Sequence, residues 1–310
     1  MRTNSNHRIE RSTVMNLYQT MLTVLILGTA TFAVPAEAQE RFKTPQLAAA
    51  ALIDAGKKND NAALVKLLGP GHEALVQDDA DPAVADRRKQ FLDQAEKLIL
   101  YREDDKDQVT LVVGVEAYPF PIPLVRVGGK WQFDAEQGEQ EIINRRVGLN
   151  ELATISVLED MVKAEFAYAG EPRDDSGVRQ FARRFMSSEG KRDGLYWAAA
   201  KDQPQSPLGP LAAAKGEAHP GSPYYGYHYR LLTKQGEHAP GGAYDYVING
   251  RLLAGFAVLA YPAEYGETGV ASFLVNHYGQ VYQADLGAET EKTAEAMTAY
   301  DPGEGWSAVQ

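Results

Sequence analysis

Residues 139–169 carry a long helical periodicity. Ile143, Val147, Ile155, Leu158, Val162 and Phe166 recur at steps of three, four or eight, which puts them on one helix face. An apolar stripe of that length has to be covered, so the helix is expected to lie against a sheet. At about 100° per residue, Glu151 falls in the middle of the stripe. A charge there has two readings. One is a structural carboxylate paired with an arginine such as Arg230, because buried charges are normally paired. The other is a perturbed carboxylate facing a cleft.

Before this helix the chain predicts helices and then short strands. Thr44-Pro45 supplies an N-cap followed by proline at the first helical position. A helix pair is expected over residues 44–68, broken at Asn59-Asp60 and stopped at Gly69-Pro70-Gly71. A third helix is expected over 83–101, with Phe91, Ala95 and Leu98 on one side. Strands follow over 109–115 and 122–127, and Gly128-Gly129 turns the chain into Lys130-Trp131-Gln132-Phe133-Asp134. Helices followed by a small antiparallel sheet resemble the cone-shaped module of nuclear-transport-factor-like domains. The fold class is therefore α+β, with modules over 39–135 and 136–310.

After the long helix, another is expected over 178–186, carrying Phe181 and Phe185. Residues 202–223 hold five prolines and read as an ordered surface loop. The rest is rich in strands. Residues 224–233 alternate Tyr225, Tyr227, Tyr229 and Leu231 with Tyr224, Gly226, His228 and Arg230. Asn249-Gly250 between apolar runs is a strong hairpin signal. A second hairpin is expected around Tyr278-Gly279, and a short helix over 289–298. Ten of the 16 tyrosines lie between Tyr224 and Tyr282, so alternation assigns some to each face of the sheet. One face packs on the long helix. The other presents rings with polar tips, suited to sugar or protein contact, although aromatics also favour strands for packing alone. The candidate ligand-binding residues are Glu151, Tyr227, His228, Arg230, Tyr246 and Tyr265.

Composition narrows the classes. The 310 residues include no cysteine, which excludes disulfides, thiolate metal sites and cysteine nucleophiles. A formal charge of −11 argues against nucleic acid as a partner. There is no H-E-x-x-H, no G-x-S-x-G and no glycine-rich loop opening a helix, so no cofactor is expected. His228, His238 and Asp245 are conceivable metal ligands, but scattered histidines are more often solvated or structural, and no metal is expected. Arg2, Arg8 and Arg11 precede an apolar run of 14 residues over 21–34, then Pro35-Ala36-Glu37-Ala38. A membrane span needs roughly 20 residues, so this is the layout of a cleaved secretory signal peptide. Cleavage after Ala38 removes three arginines and two glutamates and leaves 272 residues at −12, with no stable membrane anchor. The expected location is the bacterial periplasm or the exterior.

Asn150-Glu151-Leu152-Ala153-Thr154-Ile155, with Leu158 and the run from Ala164 to Tyr168, resembles the helix of type IV pilin-like and pseudopilin headpieces. Gly226-Tyr227-His228-Tyr229-Arg230-Leu231, Ala260-Tyr261-Pro262 and Gly279-Gln280-Val281-Tyr282 resemble the headpiece sheet. A prepilin, however, begins with a long continuous apolar helix, which this chain lacks. The whole mature chain resembles the exported bacterial family "domain of unknown function 2950". The residues that carry this are Tyr118-Pro119-Phe120-Pro121-Ile122-Pro123-Leu124, Trp131-Gln132-Phe133-Asp134, Asn144-Arg145-Arg146-Val147-Gly148-Leu149-Asn150-Glu151, Ser206-Pro207-Leu208-Gly209-Pro210-Leu211, Ala239-Pro240-Gly241-Gly242-Ala243 and Asp285-Leu286-Gly287. The resemblance implies secretion and a shared fold, and brings no catalytic residues. With no complete catalytic constellation, the expected function is a non-catalytic binding protein whose partner is an envelope protein or glycan. The alternative is an envelope hydrolase whose site gathers Glu151, His228 and the 206–211 loop.

Overall fold

A computed structural model describes residues 38–76, 82–199, 205–209 and 222–309. The expected signal peptide, apart from its last residue, and most of the proline-rich loop lie outside the described residues. The chain divides into two compact units. One takes in the described residues up to Leu92 together with Val127–Gln132, and the other takes in Asp93–Arg126 and the described residues from Phe133 onwards.

In the first unit, α1 spans Pro45–Lys58 and α2 spans Asn61–Leu68. Thr44 caps α1 by accepting from the Leu47 N–H at 3.3 Å, and Asp60 caps α2 by accepting from the Ala63 N–H at 2.9 Å. Gln39 Nε2 donates to the Leu67 and Leu68 carbonyls at 3.0 and 3.1 Å, answering acceptors that the end of α2 leaves open. Phe42 and Trp131 exchange backbone hydrogen bonds of 2.7 Å in both directions.

Helix α3 spans Pro82–Lys97 and ends earlier than the sequence suggests. Ile99, Leu100 and Tyr101 instead pair with Val113, Val112 and Leu111. β-branched and aromatic residues beside a ready strand partner favour the ladder over another helical turn. This is strand β1 (Ile99–Asp105) on one edge of β2 (Gln108–Val113). The other edge of β2 pairs with β3 (Tyr118–Pro119) and β4 (Leu124–Val127), all antiparallel. Gly128 and Gly129, with φ of 60° and 79°, turn the chain from β4 into β5 (Lys130–Phe133).

Helix α4 spans Ala135–Ala169, 35 residues. Its first turns meet the small sheet closely: a Cβ on Gly138 would lie 2.6 Å from Ile122 Cγ1. Arg145 donates to the Pro119 carbonyl at 2.9 Å and stacks over the Tyr118 ring. Its last turns lie on a second sheet. That sheet comprises β6 (Tyr227–Leu232), β11 (Ala257–Pro262), β12 (Ala271–Asn276), β13 (Tyr282–Asp285) and β14 (Ser307–Ala308). Their order is β14-β13-β12-β11-β6, antiparallel throughout. Two short ribbons stand beside it, β7 (Lys234–Gln235) with β8 (Tyr244–Asp245), and β9 (Val247–Ile248) with β10 (Arg251–Leu252). The second ribbon turns at Asn249-Gly250, both at positive φ, as the Asn-Gly signal predicts. Helix α5 (Thr290–Ala296) closes the remaining face.

Period-two alternation divides this sheet cleanly. Tyr227, Tyr229, Leu231, Val258, Ala260, Phe273 and Val275 pack with α4. Leu232, Ala257, Leu259, Tyr261 and Leu274 pack on the other face with Ala294 of α5 and Tyr300. The helix expected over 178–186 is absent: that stretch is irregular. Its N–H groups go elsewhere, Phe181 to the Leu252 carbonyl at 2.9 Å and Ala182 to Glu165 at 2.8 Å. Tertiary partners outbid the local ladder there.

Gly269 lies directly beneath the buried Tyr227 ring, and an added Cβ would overlap the hydroxyl. Gly269→Ala is therefore expected to cost about 1–3 kcal/mol and to lower Tm by roughly 5 °C, read by thermal denaturation. An unchanged Tm would show that the ring has room to shift.

Candidate functional site

Two of the six residues singled out from sequence meet at the docking point of α4. Glu151 Oε1 accepts from the Val270 and Ala271 N–H groups at 3.0 and 2.9 Å, while the Tyr227 hydroxyl donates to the Ala271 carbonyl at 2.9 Å. Burial, and then the nearby Glu151 charge, push the Tyr227 phenol above its ordinary pKa. Asn150 Nδ2 donates to the Thr268 carbonyl at 2.9 Å. Tyr225 and Gly226, with φ of 51° and 74°, make a tight turn between Tyr224 and Tyr227. Glycine is required at 226, because a Cβ there would sit 2.7 Å from Asn150 Nδ2.

His228 and Arg230 belong to the opposite face. The His228 ring lies against Tyr261, centroids 5.5 Å apart. The Arg230 guanidinium donates to the α5 carbonyls of Ala294 and Glu295 at 2.6 and 2.7 Å, and to that of Met297 just beyond the helix. A cation at a helix C-terminus satisfies open acceptors and the dipole together. The expected Glu151–Arg230 pairing is thus replaced by two separate backbone clamps. The convergence of Glu151 with His228 is also not made, since the sheet lies between them. The Tyr265 hydroxyl donates to the Asp285 carboxylate at 3.0 and 3.2 Å. The conceivable metal trio is dispersed as well. His238 pairs with Asp301 at 3.0 Å, which raises its pKa, and Asp245 accepts from the Val247 N–H at 2.8 Å. Among the described residues, no group of three or more His, Asp or Glu stands where it would hold a metal.

Tyr246 leads to a different surface. Its hydroxyl, fully buried, donates to Gln235 Oε1 at 2.8 Å. Gln235 Nε2 in turn donates to the Pro240 and Gly242 carbonyls at 2.8 and 2.7 Å, fixing the loop between β7 and β8. Tyr244 meets Tyr246 edge-on at 5.4 Å, and Tyr246 meets His277 edge-on at 5.4 Å. Tyr278 lies against His277 at 4.4 Å and is 65% exposed. Asn276 Oδ1 accepts from the Tyr278 N–H at 3.0 Å and holds this turn. Burial keeps the His277 imidazole below its ordinary pKa, hence neutral at pH 7. His277 Nδ1 is buried without a hydrogen-bond partner among the described residues, and the Asn276 side chain acts on the Tyr246 phenol. Only glycine fits opposite: a Cβ on Gly255 would lie 2.5 Å from His277 Nδ1. An exposed ring over a rigid, incompletely satisfied polar base is what a contact surface for a planar or hydroxylated group requires. The sequence marked Tyr246, counted Tyr278 among the ten tyrosines and placed it with Gly279 in a hairpin turn, and did not single out His277.

The most deeply buried acid of α4 is Glu165, not Glu151. It is inaccessible to solvent, accepts from the Ala182 N–H, and its Oε1 has no described partner. Desolvation raises its pKa to about 8. Its spacing from Leu158 and Met161, seven and four residues, was a legible core signal.

A family model described as "Protein of unknown function (DUF2950)" matches residues 39–309. The chain belongs to the DUF2950 family. No curated protein and no solved structure matches it significantly. In this DUF2950 chain the Ala239-to-Ala243 run is the loop held by Gln235, and the run ending at Glu151 is the stretch of α4 that reaches β12. Asp285, of the Asp285-Leu286-Gly287 motif, accepts from the Gly287 N–H at 2.8 Å and from Tyr265. Among the described residues, no helix of this DUF2950 chain is long and apolar enough to cross a membrane.

Glu151→Ala is expected to cost about 3 kcal/mol in urea unfolding, and Glu151→Gln about half, since its amide oxygen still accepts. Combined with Arg230→Ala, the losses are expected to add within about 0.5 kcal/mol. Coupling well beyond that would restore the ion pair that the two faces rule out.

Proposed function

We propose that this is an exported binding protein of the bacterial envelope, and that its contact face is the surface formed by Tyr244, His277 and Tyr278. The observation that carries the reading is the Tyr278 ring, 65% exposed against a neutral His277 and seated on a buried Gln235–Tyr246 network. Exposed aromatic groups on a rigid base contribute strongly to interfaces at small entropic cost. The polar groups picked out from the sequence for chemistry are instead spent within the fold: Glu151 on β12, Arg230 on the end of α5 and Tyr265 on Asp285. The signal-like first 38 residues and a cysteine-free, acidic mature chain support export. A long helix laid along an antiparallel sheet supports the headpiece-like reading of the C-terminal half. The partner is an envelope protein or glycan.

The test is capture from envelope extract by Tyr278→Ala and Tyr244→Ala, each checked for folding by circular dichroism. Tyr278→Ala is expected to retain wild-type stability and to lose at least tenfold in capture, about 1.4 kcal/mol. Unchanged capture by both folded variants would remove this surface from the reading.

A further inference from the structure

Residues 170–199 run back over the end of α4 without forming a helix or strand of their own. Ala182, Leu195 and Trp197 pack in the core with α4, and specific contacts add to this. Glu165 Oε2 accepts from the Ala182 N–H at 2.8 Å, and the Tyr168 hydroxyl donates to the Arg192 carbonyl at 3.1 Å. The Phe166 and Phe181 rings meet edge-on at 5.6 Å, and Arg173 stacks over both Tyr168 and Trp197. Three of these anchors, Glu165, Phe166 and Tyr168, lie within a single turn of α4. Glu165 is the only ionisable acid in the set, is closed to water, and reaches the segment through one backbone N–H.

We propose that Glu165 is the pH-sensitive latch of a clasp, in which the 178–199 stretch closes on α4 while the carboxyl is neutral and opens when it ionises. Charged side chains do not compete for this role. On α4, Lys163 is exposed and paired with Asp160 at 2.8 Å. In the segment, Arg183 donates to the Gly250 carbonyl, Arg184 to Ser188 beside Asp193, and Arg173 to the Ala167 and Tyr168 carbonyls. Arg173, Asp174 and Asp193 act on the Tyr168 phenol, which also feels Glu165. The sheet residues facing α4 are Val258, Ala260, Phe273 and Val275, with the phenols of Tyr227 and Tyr229. Burial is therefore what sets the behaviour of Glu165, opposed only by the Ala182 N–H.

The sign follows from linkage. The closed form keeps its proton up to about pH 8, whereas an opened, hydrated glutamate has an ordinary value of 4.5. The open state therefore binds fewer protons, and opening gains roughly tenfold per pH unit between about pH 5 and 8, then levels off. Above the upper value the closed form carries an ionised carboxylate with one N–H for company, and the advantage is spent.

Hydrogen exchange of the whole protein from pH 5 to 9, with rates corrected for intrinsic chemistry, tests this. Protection of the Ala182 amide and its neighbours is expected to fall about tenfold per unit up to pH 8, while β11 and β12 amides stay protected. Glu165→Gln is expected to flatten the profile. Tyr168→Phe, which loses an anchor but keeps the Glu165 carboxyl, is expected to lower protection at every pH and to retain the slope. A flat wild-type profile would overturn the latch, and so would an unchanged slope in Glu165→Gln. Loss of β11 and β12 protection in the same step would overturn the clasp in favour of global unfolding. If Glu165→Gln fails to fold, the wild-type and Tyr168→Phe profiles still decide between these outcomes.

Discussion

The Tyr227 ring is fully buried where α4 comes down on β12, with its hydroxyl on the Ala271 carbonyl and Glu151 holding the adjoining N–H groups. Those bonds are possible because Gly226 and Gly269 leave no side chain in the way. With α4 placed at that point, every second residue of β6, β11 and β12 faces the helix and the others face α5. That division separates Glu151 from His228 and Arg230. It also leaves the His277-Tyr278 turn to be backed by the Tyr246 ring, which Gln235 holds through its hydroxyl.

A buried polar group without a partner costs on the order of 1–3 kcal/mol, so folds normally contain few. This fold clamps its side-chain charges to the backbone: Arg230 on helix carbonyls, Glu151 on strand N–H groups, and Arg145 on Pro119. The incompletely paired groups stand out against that economy. Among them, His277 lies under the strongly exposed Tyr278, and Glu165 lies where an irregular segment meets α4. The first is the surface proposed for a partner, and the second is the proposed response to proton concentration.

Much of the architecture was legible because local chemistry and tertiary packing agree. Thr44-Pro45, Gly128-Gly129 and Asn249-Gly250 carry backbone requirements that any surroundings must respect. The stripe on α4 gave the helix, but its centre is rotated: Val157, Met161, Ala164 and Glu165 are buried while Phe166 is 50% exposed, its ring turned to Phe181 and Phe256. A stripe read from apolar residues alone passes over a buried acid. Of the candidate site, Tyr246 and Tyr278 were legible as tyrosines of the strand-rich region, and His277 was not, because a residue in a short turn carries no periodicity.

The sequence by itself determined the α+β class, a long helix over 139–169 and the alternation of the strands, since these rest on periods of 3.6 and 2 that short stretches of chain already express. Only the tertiary structure decided the partners. Residues 178–186 gave up a helix for bonds to Leu252 and Glu165, and Glu151 took backbone N–H groups 119 and 120 residues away in place of an arginine. Hydrogen-bond partners across such separations depend on which faces meet, and no local pattern encodes that.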